Sequence, residues 1–264
     1  MSKVALVTGA AKRTGRSIAE YFGRKGYDVA VHYGTSQADA HEVTSAIEAM
    51  GQRAIALHAD LANADDLRRL VDATYEQLGR LDVLVNNASF FAQDHFPDFS
   101  EARLDLALAV NYRAPILLTK AYYERARALG TQGVVINVVD QKVKGNFHRD
   151  HFCYTVGKVG LGNLTSMLAT STHPVLRVNA VYPGLMLPSD DQTEEDFLYA
   201  CQRSTPLGRI AAPEDVAEAI ELLTGPAYNG VDFVVDGGQN LWRVDQDVLY
   251  EHRAPRDEAG PATH

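Results

Sequence analysis

The sequence predicts an α/β fold: one doubly wound parallel sheet of about seven strands, flanked by helices. Short apolar runs alternate with longer amphipathic stretches along almost the whole chain, which is typical of a parallel sheet with crossover helices. Parallel strands are buried on both faces and therefore read as continuous apolar runs, as Val83-Leu84-Val85 and Val134-Val135-Ile136 do. No linker or repeat interrupts this pattern before residue 242, so we predict one domain over residues 1–242.

Seven apolar runs are the predicted strands, and helical patterns lie between them. The stretch Asp65–Leu78, for example, repeats apolar residues three and four positions apart, which places them on one face of a helix. The predicted strands are Val4–Val7, Asp28–His32, Ala54–His58, Val83–Asn86, Val134–Val138, Arg177–Val181 and Asp232–Val235.

Residues 243–264 form a polar C-terminal tail. The tail contains Pro255 and Pro261 and lacks the periodic apolar pattern of the preceding helices. Terminal segments of this kind are poorly ordered unless the rest of the fold holds them. Composition therefore predicts a mobile terminus.

Composition and charge exclude several classes of protein. The net charge of -9 over 264 residues argues against nucleic acid or an anionic membrane as a partner. Only two cysteines occur, Cys153 and Cys201, without metal-ligand spacing, so we predict no disulfide framework and no metal site. The apolar run Val4–Val7 is too short for a signal peptide, and no stretch approaches the ~18 apolar residues that span a bilayer. We therefore expect a cytoplasmic protein with a small-molecule substrate.

A glycine-containing turn follows the first strand. It runs from Thr8 to Gly15 and is followed by a helical pattern, with glycines at Gly9 and Gly15 and a hydroxyl at Thr14. Glycines let the backbone approach a pyrophosphate, and the helix N-terminus supplies free N–H groups and a partial positive charge. A plain strand–helix turn also uses glycine, but this position in the first βα unit favours a Rossmann-type dinucleotide site.

The end of the second strand indicates which dinucleotide is bound. Sites that prefer NAD place an acidic residue there to bind the ribose 2′-hydroxyl. This chain instead has His32, Tyr33, Thr35 and Ser36, with Arg13 in the preceding turn. Hydroxyl groups and an arginine suit a 2′-phosphate, which a carboxylate would repel. The sequence therefore predicts NADP(H), although Arg13 as a solvated loop charge remains the alternative.

A tyrosine and a lysine four residues apart form a candidate proton-delivering pair. Tyr154 and Lys158 begin an amphipathic stretch, and residues four apart share one helix face. A free tyrosine has a pKa of ~10, and a nearby cation should lower it toward the range of a useful general acid. This pattern is often only a helix face, but together with the dinucleotide turn it indicates carbonyl or imine reduction.

The chain resembles the short-chain dehydrogenase/reductase family over about residues 3–241. By this resemblance Asn111, Tyr154 and Lys158 are catalytic, and Tyr154 and Lys158 also contact the cofactor. The residues Gly9, Thr14, Gly15, Asp60, Leu61, Asn87, Ala88, Pro183 and Gly184 of the other motifs bind the cofactor. The matching motifs are Thr8–Gly15, Asp60-Leu61, Asn86-Asn87-Ala88, Asn111, Tyr154 with Lys158, Pro183-Gly184 and Asp236-Gly237-Gly238.

The resemblance also implies an assembly and a loop over the substrate. Members of the family are commonly homotetramers, paired through long helices that here would span about Glu101–Leu129 and Phe152–Ser171. The loop Leu185–Phe197, which contains the expected substrate-binding residue Leu187, would close over the substrate.

Three departures from the family pattern resemble its pteridine reductase branch, which includes the dihydromonapterin reductases. Arg13 replaces a turn glycine, Ser89 follows Asn-Asn-Ala, and Asp140 stands where the family has a catalytic serine. The branch implies that Phe91 stacks on a pterin, that Arg13 and Ser89 contact cofactor phosphate or substrate, and that Asp140 and Tyr154 pass the proton. The alternatives are a turn-capping role for Asp140 and ordinary packing for Phe91.

Two neighbouring features concern the same site. Arg243 resembles an arginine that in this branch reaches a neighbouring subunit's site. The segment Gln141–Asp150, between Asp140 and Tyr154, is unusually basic.

These observations leave three functional hypotheses. The first is NADPH-dependent reduction of a pterin, of the dihydropterin-to-tetrahydropterin type. The second keeps the enzyme but takes a ketone, quinone or 3-oxoacyl thioester as substrate. The third is a non-catalytic NADPH-binding regulatory protein, against which the intact Tyr154 and Lys158 pair argues.

Overall fold

A parallel sheet of seven strands organises the part of the chain that the computed structural model describes, residues 2–188 and 192–251. The order across the sheet is β3-β2-β1-β4-β5-β6-β7, and every neighbouring pair is parallel. This confirms the predicted fold class, and each observed strand differs from its predicted range by at most two residues at either end. The strands are β1 Val4–Val7, β2 Asp28–Tyr33, β3 Ala54–His58, β4 Val83–Asn86, β5 Gly133–Val138, β6 Leu176–Pro183 and β7 Asp232–Val235.

Helices connect the strands and cover both faces of the sheet. Local signals set their limits: in the third helix, Asn63 Oδ1 accepts a hydrogen bond from the backbone N–H of Asp65, and Gly79 ends the helix with φ of 85°. The helices are α1 Arg13–Arg24, α2 Gln37–Ala49, α3 Ala64–Leu78, α4 Glu101–Leu108, α5 Ala114–Leu129, α6 Phe152–Thr172, α7 Glu194–Arg203, α8 Pro213–Leu223 and α9 Val248–Glu251.

The long helix expected over about Glu101–Leu129 is interrupted by one π-helical turn, Ala109–Arg113, between α4 and α5. The turn holds Asn111, which is fully buried. Single π turns of this kind are frequent at functional sites. Here the turn faces α6, since a Cβ added to Gly157 would lie 2.8 Å from the Cβ of Asn111.

The core consists of two apolar layers, one on each face of the sheet. Alternate residues of β1 enter different layers: Ala5 and Val7 pack with α1, α2 and α8, whereas Val4 and Leu6 pack with α3 and α5. All four side chains are fully buried. Each large apolar side chain buried in this way contributes about 1.5–3 kcal/mol, so the two layers fix the sheet and the strand ends that it presents.

The C-terminal segment differs from the predicted mobile terminus. Residues 244–251 pack against the segment that precedes α6: the backbone N–H of Val244 donates to Asn146 Oδ1 at 3.2 Å, and that of Arg149 donates to the carbonyl of Asp245 at 3.0 Å. Val248 is 2% exposed. The polar composition was misleading because specific hydrogen bonds and one buried apolar side chain hold the segment. Residues 252–264, the rest of the predicted tail, lie outside the described residues.

None of the helices in residues 2–188 and 192–251 is long and apolar enough to cross a membrane.

Close packing of backbone makes one glycine of the first turn indispensable. A Cβ added to Gly15 would lie 2.0 Å from the carbonyl oxygen of Gly9 and 2.6 Å from Asn87 Nδ2. Gly9 has φ of 63°, in the left-handed region that glycine adopts without strain. The turn and the start of α1 therefore touch at a distance that only glycine permits.

We expect Gly15→Ala to lower the free energy of unfolding by about 1–3 kcal/mol, the usual cost of forcing an atom into packed backbone. Urea denaturation followed by circular dichroism measures this. Gly34→Ala is the matched control, because a Cβ there meets nothing within 4 Å, and its stability should equal or exceed that of the wild type. Equal denaturation midpoints for the two variants would contradict the packing argument.

Candidate active site

One cavity of about 1080 Å³ opens at the carboxyl ends of the strands. In open parallel sheets, ligands bind where the strand order reverses, here between β1 and β4. Asn111, predicted as catalytic, does not line the cavity. The predicted residues that line it are Gly9, Arg13, Thr14, Gly15, His32, Tyr33, Thr35, Ser36, Asp60, Leu61, Asn87, Ala88, Ser89, Phe91, Asp140, Tyr154, Lys158, Pro183, Gly184 and Leu187.

The threonine that ends β1 joins the first turn to the end of β4. Thr8 Oγ1 donates to the carbonyl of Val85 and accepts from the backbone N–H groups of Asn87 and Ala88, both at 3.0 Å. Asn87 Nδ2 donates in return to the carbonyl of Thr8 at 2.9 Å. These bonds fix the two loops that form opposite walls of the cavity.

Arg13, predicted to contact a cofactor phosphate, is the first residue of α1 and lines the cavity. Its φ is 51°, which is unusual for a residue other than glycine. Its Nη1 donates to the carbonyl of Pro188 at 3.0 Å. The first N–H groups of a helix have no partner within the helix, and the first turn of α1 contains no acidic residue. This corner of the cavity is therefore suited to an anionic group.

His32 is an internal link between three strand ends. Its Nδ1 accepts from the backbone N–H of Gly9 at 2.9 Å, and its Nε2 lies 3.1 Å from the carbonyl of Ala59, to which it donates. Burial lowers the pKa of His32 to about 4, so the ring is neutral near pH 7. Both ring nitrogens are thus used by the protein, and His32 fixes the backbone at the end of the cavity beside β2 and β3.

Hydroxyl groups, and no acid, follow β2. Tyr33, Thr35 and Ser36 line the cavity there, and the Ser36 hydroxyl makes no capping hydrogen bond although it precedes α2. The nearest acid of α2, Asp39, lies 3.1 Å from Lys12 Nζ. Since that ion pair compensates its charge, the end of β2 remains compatible with a 2′-phosphate.

The proposed proton donor is hydrogen-bonded to the aspartate that replaces the family's serine. Tyr154 Oη donates to Asp140 Oδ2 at 2.8 Å. Burial, and then the charge of Asp140, raise the pKa of Tyr154 well above its ordinary value. This corrects the expectation that a neighbouring lysine lowers that pKa: here burial and a carboxylate outweigh the cation, and the phenol stays protonated.

Lys158 lies beside the tyrosine without bonding to it. Its Nζ donates to the carbonyl of Val138 at 2.7 Å and lies 5.7 Å from the centroid of the Tyr154 ring. Burial lowers the pKa of Lys158 to about 8, and the charge of Asp140 opposes that shift. The ammonium is therefore charged near neutral pH and close enough to stabilise a phenolate.

Asn111 supports the wall of the cavity through the backbone of Phe90. Its Oδ1 accepts from the Phe90 N–H at 2.7 Å, and its Nδ2 donates to the Phe90 carbonyl at 2.9 Å. Both ends of the amide are thus used to hold the loop after β4. Its predicted part in proton transfer stays a prediction.

Phe91 presents a ring to the cavity. The side chain is 49% exposed, which sets it apart from ordinary packing beneath a loop. It stacks on His151, with ring centroids 4.0 Å apart and an interplanar angle of 23°, and meets Tyr154 edge-on at 4.8 Å. The ring is held at a fixed angle beside the phenol, as a stacking surface requires.

Several residues that were not predicted as site residues also line the cavity, among them Lys142, Gln239, Asp247 and Val248. Gln239 Oε1 accepts from the N–H of Leu185 at 2.8 Å and so fixes the loop after β6. Lys142 Nζ donates to Asp247 Oδ2 at 2.8 Å. The basic character of Gln141–Asp150 was a signal for Lys142, whereas no local pattern indicated Asp247. Arg243, expected near a site, is exposed.

Comparisons with known proteins agree with this geometry. A family model described as enoyl-(acyl carrier protein) reductase matches residues 9–240. Pteridine reductase 1 of Leishmania tarentolae is 34% identical, over 91% of this chain and 97% of that protein. L-rhamnose 1-dehydrogenase of a Sphingomonas species is 32% identical, over 89% of this chain and 95% of that one.

Two solved structures resemble this chain in both fold and sequence. FolM alternative dihydrofolate reductase 1 from Brucella canis, complexed with NADP, is 33% identical with a TM-score of 0.84, covering 92% of this chain and 96% of that one. The Brucella suis protein, also with NADP, gives a TM-score of 0.85. These similarities agree with the sheet order, the glycine turn and the buried tyrosine–lysine pair. The chain belongs to the short-chain dehydrogenase/reductase family of oxidoreductases.

Proposed function

We propose that this protein is an NADPH-dependent reductase that converts a dihydropterin to the tetrahydro form. One observation supports this most directly: the buried phenol of Tyr154 donates to Asp140 directly beside the exposed ring of Phe91. An acid, a carboxylate and an aromatic surface converge there, and reduction of a flat heterocycle needs all three. Pteridine reductase 1 of Leishmania tarentolae, which is similar over its whole length, supports the same substrate class.

Residues at the adenosine end fit NADP(H). Gly9, Arg13, Thr14 and Gly15 line the cavity where α1 begins, so a pyrophosphate can approach the helix N-terminus. Arg13, Thr35 and Ser36 would hold the 2′-phosphate. The bound NADPH supplies a hydride. The related Brucella proteins solved with NADP support this assignment.

Tyr154 would deliver the proton that accompanies the hydride. Reduction of a C=N bond places the hydride on carbon and a proton on nitrogen. Burial and Asp140 hold the phenol in its protonated form, so the donor is loaded at neutral pH. When the proton leaves, the Lys158 ammonium stabilises the phenolate.

Phe91 and Asp140 would hold the pterin itself. The ring of Phe91 offers a flat apolar surface, and stacking of two aromatic systems contributes about 0.5–1.5 kcal/mol beyond the area buried. The carboxylate of Asp140 accepts hydrogen bonds and so suits the amino group of an aminopyrimidine. Ser89 and Leu187 line the cavity as well and would complete the substrate pocket.

A second candidate is reduction of a ketone, quinone or 3-oxoacyl thioester. The description of the matching family model and the similarity to a sugar dehydrogenase favour it. The same tyrosine would then protonate an oxygen. A non-catalytic NADPH-binding protein is the third candidate, and the bond between Tyr154 and Asp140 argues against it, because binding alone needs no protonated phenol.

We expect the wild-type protein to oxidise NADPH rapidly with dihydrobiopterin or dihydromonapterin and slowly with simple ketones or quinones. Tyr154→Phe should lower kcat by about 10²–10⁴-fold, the usual contribution of a general acid, without weakening NADPH binding. Loss of NADPH absorbance measures turnover, and fluorescence titration measures binding. Activity on carbonyls alone would refute the pterin assignment, and no turnover with any of these substrates would favour the non-catalytic alternative.

We expect Phe91→Ala to raise the KM for a pterin roughly 2- to 10-fold, which corresponds to the loss of one stacking contact. Phe96→Ala is the matched control, because Phe96 lies on the same loop, is 68% exposed and contacts Phe99 and Phe152 rather than the cavity. Its KM should stay within about twofold of the wild type, as for a surface change away from the site. Equal KM values for the two variants would exclude stacking on Phe91.

A further inference from the structure

A buried ion pair lies next to the proton donor and joins it to the C-terminal segment. Lys142 Nζ and Asp247 Oδ2 are 2.8 Å apart, and their side chains are 3% and 9% exposed. Removing two charges from water costs several kcal/mol, and apolar residues of similar size are often at least as stabilising. Stability alone is therefore a weak reason for a buried pair at this point of the fold.

Lys142 lies against both Asp140 and Tyr154. Asp140 begins the short 3₁₀ helix Gln141–Lys144, and its Oδ1 accepts from the backbone N–H of Lys142 at 2.8 Å. The ammonium of the same residue lies 5.5 Å from the centroid of the Tyr154 ring and 5.9 Å from that of Phe91. The backbone of Lys142 is thus bonded to the Asp140 carboxylate, and the same carboxylate orients the Tyr154 phenol.

Two carboxylates compete for this cation. Burial opposes the charge of Lys142, but Asp247 first and Asp140 second outweigh it, and the pKa of Lys142 is raised. Of the two, Asp247 accepts the hydrogen bond. Asp140 is left with one oxygen on the Lys142 backbone and the other on Tyr154.

Neighbouring groups fix Asp247 in place. Its backbone N–H donates to Asp150 Oδ2 at 2.8 Å, and Asp150 Oδ1 pairs with His95 at 2.9 Å. His148 Nδ1 lies 3.5 Å from the Asp247 carboxylate. The segment 244–251 therefore offers its carboxylate to Lys142 in a set orientation.

We propose that Asp247 is a positioning residue for proton transfer: it holds the ammonium of Lys142 away from the Asp140 carboxylate, so that Asp140 stays bonded to Tyr154. The C-terminal segment is then a working part of the active site of its own chain. This inference rests on the proposed role of Tyr154 as proton donor, but it holds for a pterin or a carbonyl substrate alike.

The effect of two substitutions should be non-additive. In Asp247→Asn the ammonium loses its hydrogen-bonded carboxylate, and Asp140 is the remaining carboxylate whose charge acts on it most strongly, ahead of Asp150. Lys142 then draws Asp140 away from Tyr154, and kcat should fall about tenfold or more, the scale of one lost charge-assisted hydrogen bond. In Lys142→Met/Asp247→Asn the competitor is gone, and kcat should return to within about threefold of the wild type. Lys142→Met alone should also stay within about threefold, since Asp140 keeps Tyr154.

The experiment measures kcat per NADPH-binding site, counted by fluorescence titration, together with KM and the thermal midpoint. Counting sites removes any loss that is due only to unfolding. Asp28→Asn is the matched control, because Asp28 is 5% exposed and pairs with Arg53 at 2.7 Å, at the opposite ends of the strands. It should lower the thermal midpoint and leave kcat per site unchanged.

The outcomes separate the proposals. A slow Asp247→Asn that Lys142→Met rescues supports the inference; a double variant as slow as the single one, or an Asp247→Asn within twofold of the wild type, overturns it. If Asp247→Asn does not fold, Asp247→Ser, a smaller neutral side chain, takes its place, with the same expected loss and the same rescue by Lys142→Met; a kcat within twofold of the wild type, or a loss that Lys142→Met does not rescue, overturns the inference. If the wild type reduces only carbonyls, the pterin proposal fails, while the same variants assayed on a carbonyl still decide the role of Asp247.

Discussion

The site depends on the hydrogen bonds that Thr8 makes between the ends of β1 and β4. The strand order reverses between these two strands, so the loops that leave them diverge and open the cavity. Thr8 ties the loops together at their bases, and His32 ties the same turn to the ends of β2 and β3. The close backbone contact between Gly9 and Gly15 holds the turn against the start of α1. The cavity is thus pre-formed by backbone that buried polar groups hold in place.

Electrostatics at the other end of the cavity favour an acid over a base. Burial raises the pKa of Tyr154 and lowers that of Lys158, and Asp140 opposes ionisation of the phenol while it favours the charged lysine. The protein therefore holds a neutral phenol beside a cation. Such an arrangement is suited to giving a proton to substrate during reduction, because the charge that forms on the phenol is stabilised only as the proton leaves.

Much of the fold and of the site could be predicted from the sequence. Strands buried on both faces read as apolar runs, and residues that directly follow them must meet at one edge of the sheet. The place of Arg13, Ser89 and Asp140 at this edge could therefore be predicted from the pattern, whereas their roles were inferred from the family resemblance. Two features of the site could not be predicted from the sequence. The pKa of Tyr154 depends on burial and on which charge is nearer, and the pairing of Lys142 with Asp247, 105 residues apart, leaves no local pattern. The polar composition of residues 243–264 predicted a mobile terminus, whereas the described residues 244–251 are held in part by the buried carboxylate of Asp247.

The central claim is that Tyr154 acts as a protonated phenol because burial and Asp140 raise its pKa. The most direct test is ultraviolet titration of the Tyr154 phenol in the wild type and in Asp140→Asn, which keeps the shape of the side chain but removes its charge. Subtracting the titration of the matching Tyr154→Phe protein separates this phenol from the other tyrosines and from Lys158, whose pKa Asp140 also holds up. Without the Asp140 charge the phenolate is less disfavoured, so the pKa of Tyr154 falls. We predict that this phenol ionises at lower pH in Asp140→Asn than in the wild type. Ionisation at the same or a higher pH would contradict the account.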